Sequence, residues 1–144
     1  MALSGGKIID SKACSSRSAI DTEYLSIQKS DDPNICRATI GRNRGNDKYI
    51  MLDPDICSDR DIYHEMFHVL GLLHEHQRKD RDQHVTIQWQ NVPYAFKKQF
   101  TKYTKTTKTM SMPYDGTSIM HYHSTQGIVN PGHLTIISKV CTLL

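Results

Sequence analysis

The 144-residue sequence predicts a single domain of the α+β class, with short strands and one clearly marked helix. Two runs, at 22–28 and 48–52, carry the aromatic and β-branched side chains typical of short strands. Between residues 59 and 70 the apolar side chains recur at helical spacing. A chain of this length supports one hydrophobic core, so residues 1–144 are expected to form one domain.

The composition is that of an ordinary globular protein, with 38% hydrophobic and 23% charged residues. The net charge of +3 is too small to indicate a nucleic-acid partner without a clustered basic face. No run approaches the roughly 18–20 apolar residues that are needed to cross a bilayer. We therefore expect neither a nucleic-acid partner nor a membrane partner, and we take a monomer as the simplest state.

The four cysteines, at positions 14, 36, 57 and 141, form no CxxC pair. Their even number and spacing suit two disulfides better than a thiolate metal site, and disulfides favour an oxidising compartment. The opening MALSGGKIID lacks the apolar segment of a secretory signal. We reconcile these observations by expecting a secreted protein in a processed or truncated form, whose signal peptide is not in this chain.

The helix has a clear start signal. The turn compositions DDPN and GRNRGND separate the first two strands. Ser58 then offers a good N-cap, and Asp61 three residues later completes a capping-box pattern. Asp59 lies in the first turn, where an acid suits the positive end of a helix. We expect the helix to extend from about Asp59 to Leu70.

At about 100° per residue, this helix has two distinct faces. One face carries His64 and His68 side by side. Gly71 can adopt the left-handed conformation that ends a helix, turning the chain back so that His74 can approach the other two histidines. The opposite face is predicted to meet the core, and it carries Ile62, Met66, Val69 and Leu70.

The second half of the chain predicts three further elements. HVTIQW at 84–89 alternates weakly, as a strand does. Asn91 and Pro93 open a second helix that extends to about Tyr103. The run LTIISK at 134–139 is expected to form the final strand.

The stretch HEMFHVLGLLHEHQR, residues 64–78, contains the pattern HExxHxxGxxH. Two histidines four residues apart on one helix face present imidazole nitrogens to one ion, and zinc prefers such ligands. Glu65 lies between them, where it can touch a metal-bound water without being a ligand. A bare HExxH often occurs by chance, whereas Gly71 and His74 at fixed offsets make the longer pattern typical of metzincin zinc sites.

This arrangement separates the ligands from the base. Zinc lowers the pKa of its bound water to about 7, and the Glu65 carboxylate can take the proton as the hydroxide attacks a carbonyl. The same carboxyl can then pass a proton to the leaving amine. A structural zinc clip is a weaker alternative, because three histidines with a spare acid suit an open site better than a closed one.

The run HEMFHVLGLLHEHQRKDRD closely resembles the astacin family of zinc metalloendopeptidases, in the metzincin clan. SIMHY at 118–122 is similar to the astacin Met-turn, so two motifs agree in order and spacing. HVTIQWQNV and KKQFTKY also look like the family's continuation, although a tyrosine is more usual where His84 stands. The residues that continue the signature after the third histidine are Glu75, Arg78, Asp80, Arg81 and Asp82.

The resemblance implies a metzincin-like, two-lobed fold, with a small mixed sheet and the zinc-binding helix in one lobe and an irregular C-terminal lobe. It also implies that Tyr122 is an additional zinc ligand, which could swing off the metal and donate to the developing oxyanion. Met120 is better suited to a packing floor than to a ligand. One zinc ion is expected, with His64, His68, His74 and Tyr122 as ligands and Glu65 as the base.

Two interpretations of Glu75 stay open. In the family, the corresponding carboxylate meets the newly cleaved N-terminus of the mature enzyme. Alternatively, Glu75 is an exposed acid that pairs with Arg78 or Arg81.

The resemblance also pairs Cys36 with Cys57 and Cys14 with Cys141, and each bridge could add about 2–4 kcal/mol of stability. It makes KYIML an edge strand that binds the substrate backbone, the alternative being a plain edge strand. The other histidines are expected to be surface or satisfied residues: His76, His84, His121, His123 and His133. A basic stretch is most simply a solvated face, with an acidic-substrate patch as the alternative: Lys97, Lys98, Lys102, Lys105 and Lys108.

A typical astacin domain has a strand and a long helix before its first cysteine, and a helix before its last. Here thirteen residues precede Cys14, and Cys141 soon follows LTIISK, so we expect a domain shortened at both ends. The sequence therefore predicts a zinc endopeptidase that acts on protein or peptide substrates. The alternative is a truncated, catalytically silent astacin-like zinc module that binds proteins.

Overall fold

The computed structural model describes residues 25–32, 34–41, 48–104, 112–128 and 131–139. The chain divides into two compact units, Met1–Leu72 and Leu73–Leu144. The described part contains a few helices and two small sheets, as expected for the α+β class. Within it, no helix is long and apolar enough to cross a membrane.

The first unit contains a three-stranded mixed sheet. Its strands are β1 (Leu25–Lys29), β2 (Cys36–Ala38) and β3 (Lys48–Leu52), in the order β1-β3-β2. The central strand β3 pairs parallel to β1 and antiparallel to β2. Ile50 and Leu52 of β3 are almost completely buried. The two strands predicted from sequence are confirmed, although residues 22–24 of the first lie outside the described residues.

The expectation that KYIML is an edge strand is wrong, because β3 has a partner on each side. The sequence did not indicate β2, because its three residues are too few to show an alternating pattern. A disulfide between Cys36 and Cys57 joins the start of β2 to the residue before the helix N-cap, which confirms this predicted pair. Cys14 and Cys141 lie outside the described residues, so their pairing stays a prediction.

The helix of the first unit, α1, spans Asp59–Val69, close to its predicted bounds. The capping box is present: the Ser58 side chain accepts from the Asp61 backbone N–H, and the Asp61 carboxylate accepts from the Ser58 N–H at 2.9 Å. At the other end, Gly71 adopts a φ of +98°, a conformation that side chains rarely permit. The predicted chain reversal at this glycine is therefore confirmed.

The predicted core face of α1 is wrong in part. Met66 is 45% exposed and Leu70 73% exposed, whereas Glu65 and His68 are buried. The buried side is thus rotated by about 115° from the centre of the apolar stripe, toward the polar residues. This side of α1 approaches β2, whose Ala38 N–H donates to the Glu65 carboxylate. Ile62 and Val69 lie between the centre of the apolar stripe and the buried side of the helix, and both are half-buried.

The second unit has a two-stranded antiparallel sheet of β4 (Val85–Ile87) and β5 (Ile136–Ser138), which confirms both predicted strands. The rest of the described unit consists of turns and short 3₁₀-helices, as expected for an irregular C-terminal lobe. These helices span Glu75–Gln77, Arg81–Gln83, Trp89–Asn91 and Tyr94–Phe100. The core cluster contains Val85, Ile87, Val92, Phe100 and Ile136, with Tyr114 and Tyr122 packed against it.

The second predicted helix is the 3₁₀-helix Tyr94–Phe100, capped by Pro93, and it ends before the predicted Tyr103. The chain becomes extended at Thr101, and the Tyr103 N–H then donates to the Gln77 carbonyl at 2.9 Å. That long-range hydrogen bond has no counterpart in a helix, which explains why the helix is shorter than predicted.

A buried arginine fastens the irregular segments together. Arg81 is only 3% exposed, and its Nη1 donates to the carbonyls of His76 and Phe100. Its Nε donates to the Asp82 carboxylate at 2.9 Å. Because a buried guanidinium is stable only when its donors are paired, these bonds hold three chain segments in one arrangement.

Candidate metal centre

The three histidines of the HExxHxxGxxH pattern come together. His64, His68 and His74 each offer one ring nitrogen, and these atoms lie within 4.8 Å of one another. His64 and His68 project from α1 with their ring centroids 4.7 Å apart, as expected for residues one helical turn apart. Three imidazoles in such a cluster are a donor set suited to zinc.

A hydrogen bond orients the imidazole of His68. Its Nδ1 lies 2.8 Å from the carbonyl oxygen of Leu72. Because a carbonyl only accepts, Nδ1 carries the proton, and the Nε2 lone pair is the one that can bind a metal. Burial lowers the pKa of His68 below its ordinary value, although the hydrogen bond to Leu72 opposes this. The imidazole is therefore held in the neutral form that a metal requires.

His74 is oriented by Gln77, a residue that no sequence motif indicates. Nδ1 of His74 lies 3.1 Å from the amide oxygen of Gln77, and the Gln77 amide nitrogen donates to the Thr101 carbonyl at 3.0 Å. The second bond fixes which end of the amide faces His74. Gln77 is 6% exposed. Its position three residues after a ligand was the only signal in the sequence, and that spacing alone is too common to identify such a role.

Glu65 lies buried beside its histidine neighbours, only 6% exposed. The Ala38 N–H donates to its carboxylate, while its Oε2 has no hydrogen-bond partner among the described residues. Burial, with a smaller contribution from Asp61, raises the pKa of Glu65 to about 7, and the Ala38 hydrogen bond opposes the rise. A buried carboxylate oxygen without a partner fits a site that gains a cation and water, so these residues suit a metal ion.

Tyr122 lies in a cluster of rings in the second unit. Its ring centroid is 4.0 Å from that of His76, 5.0 Å from that of His74 and 5.6 Å from that of Phe100. Met120, two residues earlier, is 2% exposed, and its carbonyl accepts from the Glu75 N–H at 2.9 Å. The backbone thus ties the predicted Met-turn to the residue that follows His74.

Glu75 is paired with Arg78 and not with Arg81. Its Oε1 accepts from Arg78 Nη1 at 2.9 Å and from the Asp115 N–H at 2.9 Å. Its side chain is 16% exposed, so it is not the exposed acid of the second interpretation, although the pairing itself is present. The expected contact with a mature N-terminus stays a prediction.

Two other histidines are also buried and bonded. His121 Nδ1 lies 2.6 Å from the Tyr122 carbonyl, and its Nε2 lies 2.6 Å from the Tyr114 hydroxyl. His76 is completely buried, and burial lowers its pKa to about 3. His84, which is half-buried, stacks on the ring of Tyr114, with centroids 4.5 Å apart and planes 4° apart. The remaining two, His123 and His133, are exposed, as the surface interpretation expects.

The basic stretch forms no single cluster among the described residues. Lys97 and Lys98 are exposed, while Lys102 pairs with Asp82 at 2.7 Å. Lys105 and Lys108 lie outside the described residues. A solvated face remains the simpler interpretation.

The helix presents two histidines and a buried glutamate, and a third histidine follows the glycine turn. This set of side chains is typical of zinc peptidases. The family model described as Astacin, a peptidase family, matches residues 7–143. The chain therefore belongs to the astacin family, which confirms the resemblance.

Individual relatives agree with this assignment. The chain is 41% identical over 124 residues to zinc metalloproteinase nas-14 of Caenorhabditis elegans, covering 83% of this chain and 24% of that protein. It is 38% identical over 109 residues to zinc metalloproteinase nas-5 of the same organism, covering 72% of this chain and 30% of the relative. The chain thus spans less than a third of the length of these curated relatives.

A solved structure is similar as well. High choriolytic enzyme 1, a hatching enzyme zinc-protease from the medaka fish Oryzias latipes, matches with a TM-score of 0.75 at 30% identity. The match covers 86% of this chain and 60% of that chain. The predicted metzincin-like fold is therefore confirmed.

Proposed function

We propose that this chain is a zinc-dependent endopeptidase that hydrolyses peptide bonds in protein substrates. The observation that carries the proposal is the buried carboxylate of Glu65 next to three clustered histidines. His64, His68 and His74 would hold one zinc ion, with Tyr122 as an additional ligand. Membership of a family whose relatives are named zinc metalloproteinases supports the assignment.

When bound, zinc supplies a Lewis acid that polarises the scissile carbonyl and lowers the pKa of bound water to about 7. Glu65 takes the proton of the attacking water and returns it to the leaving amine. Burial raises the pKa of the Glu65 carboxyl, which favours its protonated form once it has accepted the proton. Tyr122 donates its hydroxyl to the oxyanion that develops on the substrate carbonyl.

Strand β2, at the edge of the described three-stranded sheet, is the better candidate for pairing with an extended substrate than the central β3. The chain is further proposed to act as a secreted monomer. The Cys36–Cys57 disulfide supports an oxidising compartment, because such bonds persist there and are rare in the cytosol.

The Glu65→Gln variant tests the proposed base. It keeps the buried side chain and its contact with Ala38 but cannot accept a proton, so it should retain zinc and lose at least about a hundredfold in kcat. Cleavage of a denatured protein with and without chelator, together with zinc content by atomic absorption, is the measurement. Full turnover by this variant would contradict the mechanism.

The ligand assignment has a matched pair of variants. His68→Gln should lose zinc and activity together, whereas His133→Gln changes an exposed histidine and should lose neither. Stoichiometric zinc in His68→Gln would contradict the assignment. A wild-type chain that holds zinc but cleaves no peptide would instead favour the alternative, a silent zinc module that binds proteins.

A further inference from the structure

The imidazole of His76 lies almost flat against the phenol ring of Tyr122. Their centroids are 4.0 Å apart and their planes 23° apart. The rings of His74 and Phe100 lie farther from Tyr122 and at steeper angles. We propose that His76 is a positioning residue whose buried ring holds Tyr122 in its working orientation. This inference rests on the role proposed for Tyr122 above.

His76 is itself firmly held. Its side chain has no exposed surface, and its Nε2 lies 3.0 Å from the Gln99 carbonyl. Because that carbonyl only accepts, Nε2 is the protonated nitrogen. The ring of Phe100 packs at 5.6 Å, and Arg81 donates to the backbone carbonyl of His76. The imidazole plane is therefore fixed by contacts that do not involve Tyr122.

The same imidazole also faces a proposed zinc ligand. The rings of His74 and His76 stack with their centroids 5.3 Å apart and their planes 28° apart, and His74 lies 5.0 Å from Tyr122. His76 thus contacts both partners of the pair that must approach one another when Tyr122 meets the metal. An apolar side chain of similar volume would fill the space but would present no flat face to either ring.

Precise placement matters for a hydroxyl that must meet a developing oxyanion. A displacement of about 1 Å in an active site can cost about a hundredfold in rate. His76→Leu removes the stacking face and the donor to the Gln99 carbonyl, and we expect it to lower kcat about tenfold with KM changed less than about twofold. His84→Leu is the matched control, because it removes a histidine stacked on Tyr114 instead, and it should leave kcat unchanged.

A double-mutant cycle separates positioning from general packing. If His76 acts through Tyr122, then His76→Leu should lower kcat in the wild-type background but not in the Tyr122→Phe background. Losses that multiply across the two variants would show that His76 acts independently of Tyr122 and would overturn the proposal. Thermal unfolding of each variant identifies any loss of folded protein.

Copper(II) substitution provides a readout that does not depend on activity. A tyrosine phenolate bound to copper(II) gives a visible charge-transfer band, which Tyr122→Phe should abolish. We expect the band to shift or weaken in His76→Leu and to stay unchanged in His84→Leu. An unchanged band in His76→Leu would overturn the proposal, and so would a wild-type protein without the band.

These outcomes also separate this inference from the proposed function. A wild-type protein with the copper band but no peptidase activity would refute the proposed function. The positioning role of His76 would then still be tested by the effect of His76→Leu on the band. If His76→Leu does not fold, His76→Gln replaces it, since glutamine keeps a donor for the Gln99 carbonyl but has no ring. A wild-type band in that variant would equally refute the positioning role.

Discussion

The hydrogen bond from His74 to Gln77 should control zinc affinity, and Gln77→Leu tests this. The substitution removes the acceptor for Nδ1 of His74 and the donor for the Thr101 carbonyl, both within 3.1 Å in the native protein. Partners that orient a metal ligand typically contribute tenfold to a hundredfold in metal affinity. At about 1.4 kcal/mol per factor of ten, this corresponds to roughly 1.4–2.8 kcal/mol of zinc binding.

A second variant separates metal affinity from fold stability. Gln77→Glu keeps an acceptor for His74 but loses the donor to Thr101, so both variants should lower the free energy of unfolding of the metal-free protein. Only Gln77→Leu should weaken zinc binding, measured by competition with a chromogenic chelator. Exposed Gln83→Leu serves as the control. A Gln77→Glu variant that binds zinc as weakly as Gln77→Leu would contradict this role of Gln77. A Gln77→Leu variant that binds zinc as tightly as wild type would contradict it too.

Three further predictions concern stability. Arg81→Met leaves two backbone carbonyls without their side-chain donor, and each should lower the free energy of unfolding in urea by roughly 1–3 kcal/mol. The control Arg60→Met changes an exposed arginine and should alter this free energy little. Replacing Cys36 and Cys57 by serine should cost about 3 kcal/mol from the 21-residue separation, and an unchanged urea midpoint would contradict this. Hydrogen bonds from the Arg78 guanidinium hold the pKa of Asp80 below its usual 3.8. The ionised Asp80 carboxylate therefore stabilises the fold above pH 3.8, and this stabilisation is lost as the pH falls through the lower folded-state pKa. Carboxylates titrate between about pH 5 and about pH 2. Over this range the free energy of unfolding of Asp80→Asn should fall less than that of the wild type, and an equal fall would refute this role of Asp80.

Local sequence signals were sufficient for the centre of the metal site. The capping box at Ser58 sets where α1 begins, so that His64 and His68 both lie within the helix. His64 and His68 then project together because their spacing matches one helical turn. Gly71 was predictable for a similar reason, since few other residues adopt its φ of +98°. These interactions act over a few residues, so the sequence contains them directly.

The buried face of α1 and the order of the strands depend on contacts between distant segments. Met66 and Leu70 looked like core residues from the apolar stripe, yet α1 buries the side that carries Glu65 and His68. The helical pattern shows which residues share a face, but only the packing partner decides which face is buried. The position of β3 at the centre of its sheet likewise depends on the pairing of β2, whose three residues carry no periodic signal.

By itself, the sequence determined the family, the ligands' common helix face and the glycine turn, because fixed spacing along one helix expresses a local geometry. The tertiary structure alone decided that Gln77 orients His74, that Arg78 and not Arg81 pairs with Glu75, and that His76 stacks on Tyr122. His76 and Tyr122 are 46 positions apart in the chain. Contacts of that separation follow from how the core closes around Phe100, which no short-range pattern encodes.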